Sequence, residues 1–234
     1  MLPDALATQA PRFADRAVYL SGVDALVVAD LHAGRARSAR VALPVADADD
    51  RAARLGALCR QFDPATVVVA GDVVDAPGGD QSPVERVAGA VADTGADLVV
   101  TPGNHDGQLS GFGGAAPAVW RDGRVAVCHG HEAPDAAGAD LVVAGHEHPR
   151  LSVEGVTRPA FLAGPSEAAA VDAALLLVPA FTRTVPGTDV TALCRRDPLT
   201  PLLSDPADCR PVVAVDDPGD PLVFPPLSKL AARH

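Results

Sequence analysis

The sequence predicts an α/β protein in which a buried sheet is flanked by helices. Of the 234 residues, 48% are hydrophobic and 21% are charged, which is the composition of a folded domain. Short runs of β-branched and aliphatic residues recur along the chain, and stretches with helical periodicity separate them. This alternation favours a fold in which strands and helices follow one another.

Apolar runs of strand length predict the sheet. The first five runs are bounded by polar or glycine-containing segments, as expected for buried strands. Three later runs predict that strands continue into the second half of the chain. The first set covers residues 23–29, 66–70, 97–101, 124–128 and 140–144, and the later set covers 160–163, 174–178 and 212–215.

Two helices are predicted between the early strands. Residues 49–62 repeat apolar side chains at helical spacing. Residues 82–93 begin with Ser82 as the N-cap, continue with proline at the first helical position, and carry Glu85 at the capping-box position.

The C-terminal part of the chain has a different composition. Ten of the 22 prolines lie from Pro179 onward, and the apolar runs there are too few to close a separate core. We therefore expect a single domain over residues 1–234, with a proline-rich extended segment at about 179–234.

The charge balance excludes one class of function. With 19 basic and 30 acidic residues, the net charge is −11, so the chain is not a cationic module that holds nucleic acid through phosphate neutralisation alone. Aspartate supplies 25 of the acidic residues, and Lys229 is the single lysine. This surface resembles that of halophilic proteins from high-salt cytoplasms, although GC-rich codon usage would also explain the missing lysines.

The chain is predicted to stay in the cytoplasm, without a membrane partner. No apolar run approaches the roughly 20 residues that cross a bilayer, and the N-terminus has no basic segment followed by a hydrophobic one. The four cysteines lie far apart and form no Cys-x-x-Cys pair, which favours reduced thiols over a zinc ribbon or a disulfide framework.

Histidines are concentrated directly after the first five predicted strands. Six of the seven histidines and the single asparagine of the chain lie there. In open α/β sheets the carboxyl ends of the strands line up along one edge, so these loops should share one cavity. In order, the strand ends read Asp30-Leu31-His32, Gly71-Asp72-Val73-Val74-Asp75, Gly103-Asn104-His105-Asp106, His129-Gly130-His131 and Gly145-His146-Glu147-His148.

These side chains predict a site for two divalent metal ions. Asp30 and His32 are two residues apart, which in extended backbone points both side chains to the same side, and His146 and His148 repeat the arrangement. Carboxylate, imidazole and one neutral amide suit Mn²⁺, Fe²⁺, Zn²⁺ or Co²⁺ better than thiolates or oxygens alone would. About seven candidate ligands indicate two ions.

The ordered motifs from Asp30 to His148 resemble those of the calcineurin-like metallophosphoesterase superfamily. The resemblance implies a two-sheet sandwich flanked by helices, in four αββα layers. It implies that Asp72 bridges two metal ions. The first ion would be held by Asp30, His32, Asp72 and His148, and the second by Asp72, Asn104, His129 and His146.

The resemblance also implies catalytic and substrate-binding residues. His105 matches a catalytic histidine that is not a ligand, and Asp75 matches the acid that orients it, although some nuclease relatives have histidine there. Arg35 and Arg37 could grip a phosphate in bidentate fashion, with solvated loop arginines as the alternative. His131 could contact the substrate, support a ligand or cap its loop.

Within the superfamily the chain looks most like the ICC-like prokaryotic phosphoesterases, several of which are associated with DNA ligases or helicases. Pro-Ala-Phe at 179–181 and the closely spaced histidine pairs carry this resemblance. It implies a manganese-dependent phosphodiesterase that uses a hydroxide shared by two metal ions, with single-stranded DNA as a candidate substrate and a helicase or ligase as a candidate partner.

Two alternatives remain open. The net charge of −11 and the presence of only six Phe, one Tyr and one Trp give little support for a base-stacking DNA platform. A phosphodiesterase or phosphatase acting on small nucleotides is therefore one alternative. A metal-binding subunit that is active only with its helicase or ligase partner is the other.

Overall fold

Two β-sheets packed face to face form the centre of the protein. A computed structural model describes residues 1–33, 44–75, 82–107, 116–215 and 220–231. Within these ranges the helices are α1 (Asp4–Thr8), α2 (Pro44–Phe62), α3 (Ser82–Ala92) and α4 (Leu227–Ala231).

The first sheet changes from antiparallel to parallel pairing at its third strand. In both spatial and chain order its described strands are β1 (Pro11–Ala14), β2 (Ala17–Leu20), β3 (Ala25–Ala29), β4 (Thr66–Ala70) and β5 (Asp97–Thr101). The first three strands pair antiparallel, and β3, β4 and β5 pair parallel. The parallel strands therefore end at the same edge of the sheet.

The second sheet contains a parallel group of three strands at its centre. Its described strands, in spatial order, are β15 (Leu222–Val223), β14 (Arg210–Val213), β11 (Phe161–Gly164), β12 (Ala174–Leu177), β8 (Leu141–Ala144), β7 (Val125–Cys128) and β6 (Trp120–Asp122). Strands β12, β8 and β7 are parallel. A small third sheet has the order β10 (Val156–Pro159), β9 (Pro149–Val153) and β13 (Thr188–Asp189).

Alternate residues of each central strand pack into different layers. In β3, Val27 and Ala29 belong to the core between the two sheets, whereas Leu26 and Val28 belong to the core beneath α2 and α3. Successive side chains of a strand point to opposite faces, so both faces of β3 are buried. This double burial explains the uninterrupted apolar run in the sequence.

The outer face of the second sheet is covered by the proline-rich C-terminal segment. Leu193, Leu203, Cys209 and Leu227 are buried there against the second sheet. The predicted two-sheet sandwich is thus confirmed, and its fourth layer consists of loops, two 3₁₀ turns and the short α4. None of the described helices combines the length and apolarity needed to span a membrane.

The predicted strands and helices are confirmed. Strands β3, β4, β5, β7 and β8 occupy the five early runs, and β11, β12 and β14 occupy the later ones. Helix α2 begins at Pro44 rather than at residue 49, and proline is well suited to the first helical turn. The sequence did not predict α1, α4, the edge strands β1, β6, β10, β13 and β15, or the inner strands β2 and β9.

Candidate metal centre

The loops that follow β3, β4, β5, β7 and β8 meet where the two sheets face each other. They bring together two groups of three possible ligands, and in each group one donor atom per residue lies within 4.8 Å of the others. Each group combines residues from both sheets. The first ligand group is Asp30, His32 and His148, and the second ligand group is Asp72, His129 and His146.

Asp72 belongs to the second ligand group and also faces the first. Its Oδ1 is 3.5 Å from His129 Nε2, and its Oδ2 is 3.9 Å from His32 Nε2. One carboxylate oxygen thus faces each group, as a bridging ligand would. Burial raises the pKa of Asp72, and a cation in either group would favour its ionised form.

The first ligand group contains a buried carboxylate oxygen to which no described residue donates a hydrogen bond. Asp30 is 0% exposed, and its Oδ1 accepts no hydrogen bond from any described residue. That oxygen is 3.4 Å from His148 Nε2, which in turn is 3.5 Å from His32 Nε2. A buried carboxylate oxygen without a hydrogen-bond donor is costly, so this group fits a cation.

The second ligand group presents neutral imidazoles to a common point. His129 Nε2 lies 3.2 Å from His146 Nδ1 and 3.2 Å from Asn104 Oδ1. Burial lowers the pKa of both histidines to about 4, so at neutral pH each ring is uncharged and one of its two nitrogens offers a lone pair. Atoms about 2.1 Å from one ion, at angles of about 100°, lie roughly 3.2 Å apart. The spacing therefore fits a divalent metal.

Hydrogen bonds from the opposite ring nitrogens orient the ligand histidines. His129 Nδ1 donates to Ala70 O (3.2 Å), and His148 Nδ1 donates to Pro186 O (3.4 Å). Since a carbonyl oxygen can only accept, Nδ1 carries the proton in each ring and Nε2 is left free as a ligand. Such outer partners fix the tautomer and orientation of metal-binding histidines.

Asp75 approaches two histidines of the site through different groups. Its carboxylate Oδ1 lies 3.6 Å from His32 Nδ1, whereas His105 Nδ1 donates to the backbone carbonyl of Asp75 at 2.8 Å. The reason is local backbone pairing, because the N–H of Asp75 donates to Ala33 O at 3.0 Å and thereby fixes the residue beside the β3 loop. The carboxylate thus faces a ligand histidine, and the main chain orients His105.

His105 is placed to reach a substrate. Its side chain is 40% exposed, and its Nε2 lies 3.8 Å from Asp72 Oδ2. The backbone N–H of His105 also donates to Asp72 Oδ1 at 3.0 Å. The imidazole therefore borders the two ligand groups and belongs to neither of them.

Five of the predicted ligands have left-handed backbone conformations. For residues other than glycine this conformation costs roughly 1–2 kcal/mol, and it is found mainly where a functional site holds the chain. The φ angles are 53° at Asp30, 44° at His32, 44° at Asp72, 66° at His146 and 49° at His148. The site therefore stores backbone strain at most of its ligand positions.

The glycine before the last histidine pair is required by close packing. A Cβ at Gly145 would lie 2.6 Å from Asp30 Oδ2 and 2.9 Å from the backbone oxygen of Ala70. We expect Gly145→Ala to destabilise the protein by about 1–3 kcal/mol and to weaken metal binding about tenfold or more, since Asp30 must move. Urea denaturation and metal titration measure the two effects.

Gly89 provides the matched control, because a Cβ there would meet nothing within 4 Å and the residue lies in α3. Gly89→Ala should stabilise the protein by about 0.5–1 kcal/mol and leave metal binding unchanged. Unaltered metal affinity in Gly145→Ala would contradict the proposed ligand role of Asp30.

The remaining predicted site residues differ in their placement. The His131 ring lies 5.1 Å from that of His129, between ring centroids, but His131 is outside both ligand groups. Asp106, the last residue of the third motif, fixes its loop by accepting hydrogen bonds from the backbone N–H groups of Gly103 (2.9 Å) and Val74 (3.1 Å). Arg35 and Arg37 lie outside the described residues.

Sequence reasoning missed the role of Glu147. This residue is 0% exposed, and its Oε2 accepts hydrogen bonds from the backbone N–H groups of Leu199 (2.7 Å) and Thr200 (3.1 Å). Glu147 thereby ties the C-terminal segment to the loop that carries His146 and His148. The sequence did offer one indication of this role. Glu147 lies between two candidate ligands, in a chain with only five glutamates.

Comparisons with known proteins agree with this fold. Residues 24–133 match the family model described as calcineurin-like phosphoesterase. The fold is similar to the crystal structure of the Pseudomonas putida nuclease MPE, with a TM-score of 0.59 and 22% sequence identity, over 85% of this chain and 88% of that chain. No curated protein matches the sequence significantly. The matched family segment contains the first four motifs, from Asp30 to His131.

Proposed function

We propose that the chain is a phosphodiesterase, which refines its identification as a metal-dependent hydrolase of phosphoester bonds. That identification rests on the family match and on the paired ligand groups. The observation that carries the proposal is the position of Asp72 between the two groups, with His105 Nε2 at 3.8 Å from its carboxylate.

The residues fit two divalent ions, with the ligands assigned as follows. Asp72 would be shared, Asn104 would join the second ligand group, and the neutral amide would limit the negative charge that an anionic substrate meets. When bound, such ions neutralise phosphoryl oxygens and activate water for in-line attack. We propose Mn²⁺ as the native metal, with Fe²⁺, Zn²⁺ and Co²⁺ as alternatives, since mixed carboxylate, imidazole and amide donors suit all four.

His105 supplies the proton that the departing oxygen of a diester requires. Its Nδ1–H is engaged by the carbonyl of Asp75, so Nε2 is the atom that faces the substrate. The imidazole is an acid at Nε2 only when it is an imidazolium, and from there it donates to the leaving oxygen. We therefore propose that His105 is the catalytic acid and that the backbone carbonyl of Asp75 orients its ring.

Oligonucleotides are the substrate class that we favour. The similar Pseudomonas putida protein is described as a nuclease. On the open side of the site, Asn104 is exposed and His105 is partly exposed, which leaves room for a chain that continues beyond the cleaved phosphate. The alternatives to be tested are a phosphodiesterase or phosphatase that acts on small nucleotides and a subunit that depends on a helicase or ligase.

A comparison of a diester with a monoester tests the proposal. Bis-p-nitrophenyl phosphate should be hydrolysed at least about tenfold faster than p-nitrophenyl phosphate, with Mn²⁺ and in molar KCl because of the acidic surface. Protein treated with a chelator is the control. Faster monoester hydrolysis would contradict a phosphodiesterase and indicate a phosphatase. Inactivity on both compounds with two metals bound would instead support a partner-dependent subunit.

A further inference from the structure

Arginine side chains gather beside the first ligand group, in a chain whose net charge is −11. Arg16, Arg150 and Arg183 line a small recess of roughly 50 Å³ whose wall also includes His148. These arginines come from distant parts of the sequence, so the fold and not a local motif brings them together. The edge of the site therefore carries a local excess of positive charge.

Arg16 is held in place by neutral acceptors. Its Nη1 donates to Ala180 O at 2.8 Å and to Thr182 O at 2.6 Å. This segment is attached to the strand that leads into Asp30, because the N–H of Phe181 donates to Ala29 O at 2.7 Å. The guanidinium is therefore fixed relative to the ligand loop, and its contacts there leave its charge uncompensated.

Arg150 is the least compensated of the three. It lies two residues after His148, is half-buried, and forms no ion pair with any residue that the structure describes. Arg183 is more exposed, with 57% of its side chain accessible, and its Nη1 lies 3.4 Å from Asp50 Oδ1. Among the described residues, two of the three guanidinium groups thus have no carboxylate partner in hydrogen-bond contact.

Nearby carboxylates are already engaged by a fourth arginine. Arg54 pairs with Asp15 at 2.6 Å and with Asp50 at 3.2 Å. Burial, and then the positive charges of Arg54, Arg183 and Arg150, lower the pKa of Arg16 to about 10, although Asp15 opposes this. Mutual repulsion among clustered guanidinium groups is relieved when an anion binds among them.

We propose that Arg16, Arg150 and Arg183 form a subsite for a substrate phosphate other than the one that is cleaved. The recess has a volume of roughly 50 Å³, several times the roughly 10–15 Å³ that one water molecule requires, and the three guanidinium groups on its wall favour an anion such as phosphate. Guanidinium groups bind phosphate oxygens in bidentate pairs. The inference rests on the proposed function and implies a preference for substrates with at least two phosphates.

Three thymidine dinucleotides that differ only in a terminal phosphate test the subsite: one without it, one with it at the 5′ end and one with it at the 3′ end. In the unaltered protein, one of the phosphorylated dinucleotides should show a kcat/KM about tenfold higher than the unphosphorylated one. Arg150→Gln should remove this advantage and change hydrolysis of bis-p-nitrophenyl phosphate, which has a single phosphate, less than about twofold.

Two further variants make the comparison specific. Arg183→Gln changes a largely exposed side chain and should reduce the advantage without affecting folding. Arg158→Gln is the matched control, because Arg158 is exposed on β10 and does not line the recess. Equal losses on all substrates in Arg150→Gln, or an unchanged advantage in both Arg150→Gln and Arg183→Gln, would overturn the proposal.

Calorimetry can measure the affinity of metal-free protein for the same dinucleotides. This measurement tests phosphate binding at the subsite independently of catalysis. The terminal phosphate should tighten binding about tenfold in the unaltered protein and in Arg158→Gln, but not in Arg150→Gln. Inorganic phosphate should compete with the phosphorylated dinucleotide alone. Absence of any effect of the terminal phosphate would overturn the subsite, whereas absence of bis-p-nitrophenyl phosphate hydrolysis would contradict the proposed function.

Discussion

Replacing Asp72 with alanine should prevent binding of both metal ions and lower activity by at least about 10³-fold. The carboxylate has one oxygen 3.5 Å from His129 Nε2 and the other 3.9 Å from His32 Nε2, so both ligand groups lose a donor at once. Mass spectrometry of the metal content and hydrolysis of bis-p-nitrophenyl phosphate measure the two effects.

Asp72→Asn is the matched control for folding. Asparagine keeps the acceptor that the backbone N–H of His105 uses at 3.0 Å, but it removes the negative charge. We expect Asp72→Asn to unfold at nearly the same urea concentration as the unaltered metal-free protein and still to bind metal poorly. Two tightly bound ions in Asp72→Ala would refute the bridging assignment.

Replacing His105 with alanine should preserve both metal ions and reduce dinucleotide hydrolysis by about 10²–10⁴-fold. The variant loses the proton donor for the leaving oxygen. The p-nitrophenolate leaving group is weakly basic and needs little protonation, so hydrolysis of bis-p-nitrophenyl phosphate should fall much less. Parallel assays of the two substrates and of metal content measure this division of roles. Equal metal loss in His105→Ala and Asp72→Ala would show that His105 is a ligand.

The central strands could be predicted because they are buried on both faces. Val67, Val68 and Val69 of β4 are at most 1% exposed, so their run is continuous in the sequence. The edge strands lack this signal. In β6, Arg121 and Asp122 are exposed, and the strand is defined by its antiparallel pairing with β7, which only the tertiary structure provides.

Some features of the candidate site could be predicted from the sequence and others could not. Scarce residue types at strand ends predicted which side chains would meet, because the fold aligns the carboxyl ends of parallel strands. The orientation of Asp75 could not be predicted, since it depends on a hydrogen bond from its N–H to Ala33 O in another loop. Likewise, no local pattern links Arg16 to Arg150.

Each ligand group takes residues from both sheets, and His32 and His148 are separated by 116 positions in the sequence. Contacts of such long range form only after most of the chain has been brought together. We therefore expect an ion that needs ligands from both sheets to bind only after the sheets have docked. Interactions that are absent from the folding transition state slow unfolding and leave the folding rate unchanged. Bound metal should then lengthen the lifetime of the folded protein without changing how quickly it forms.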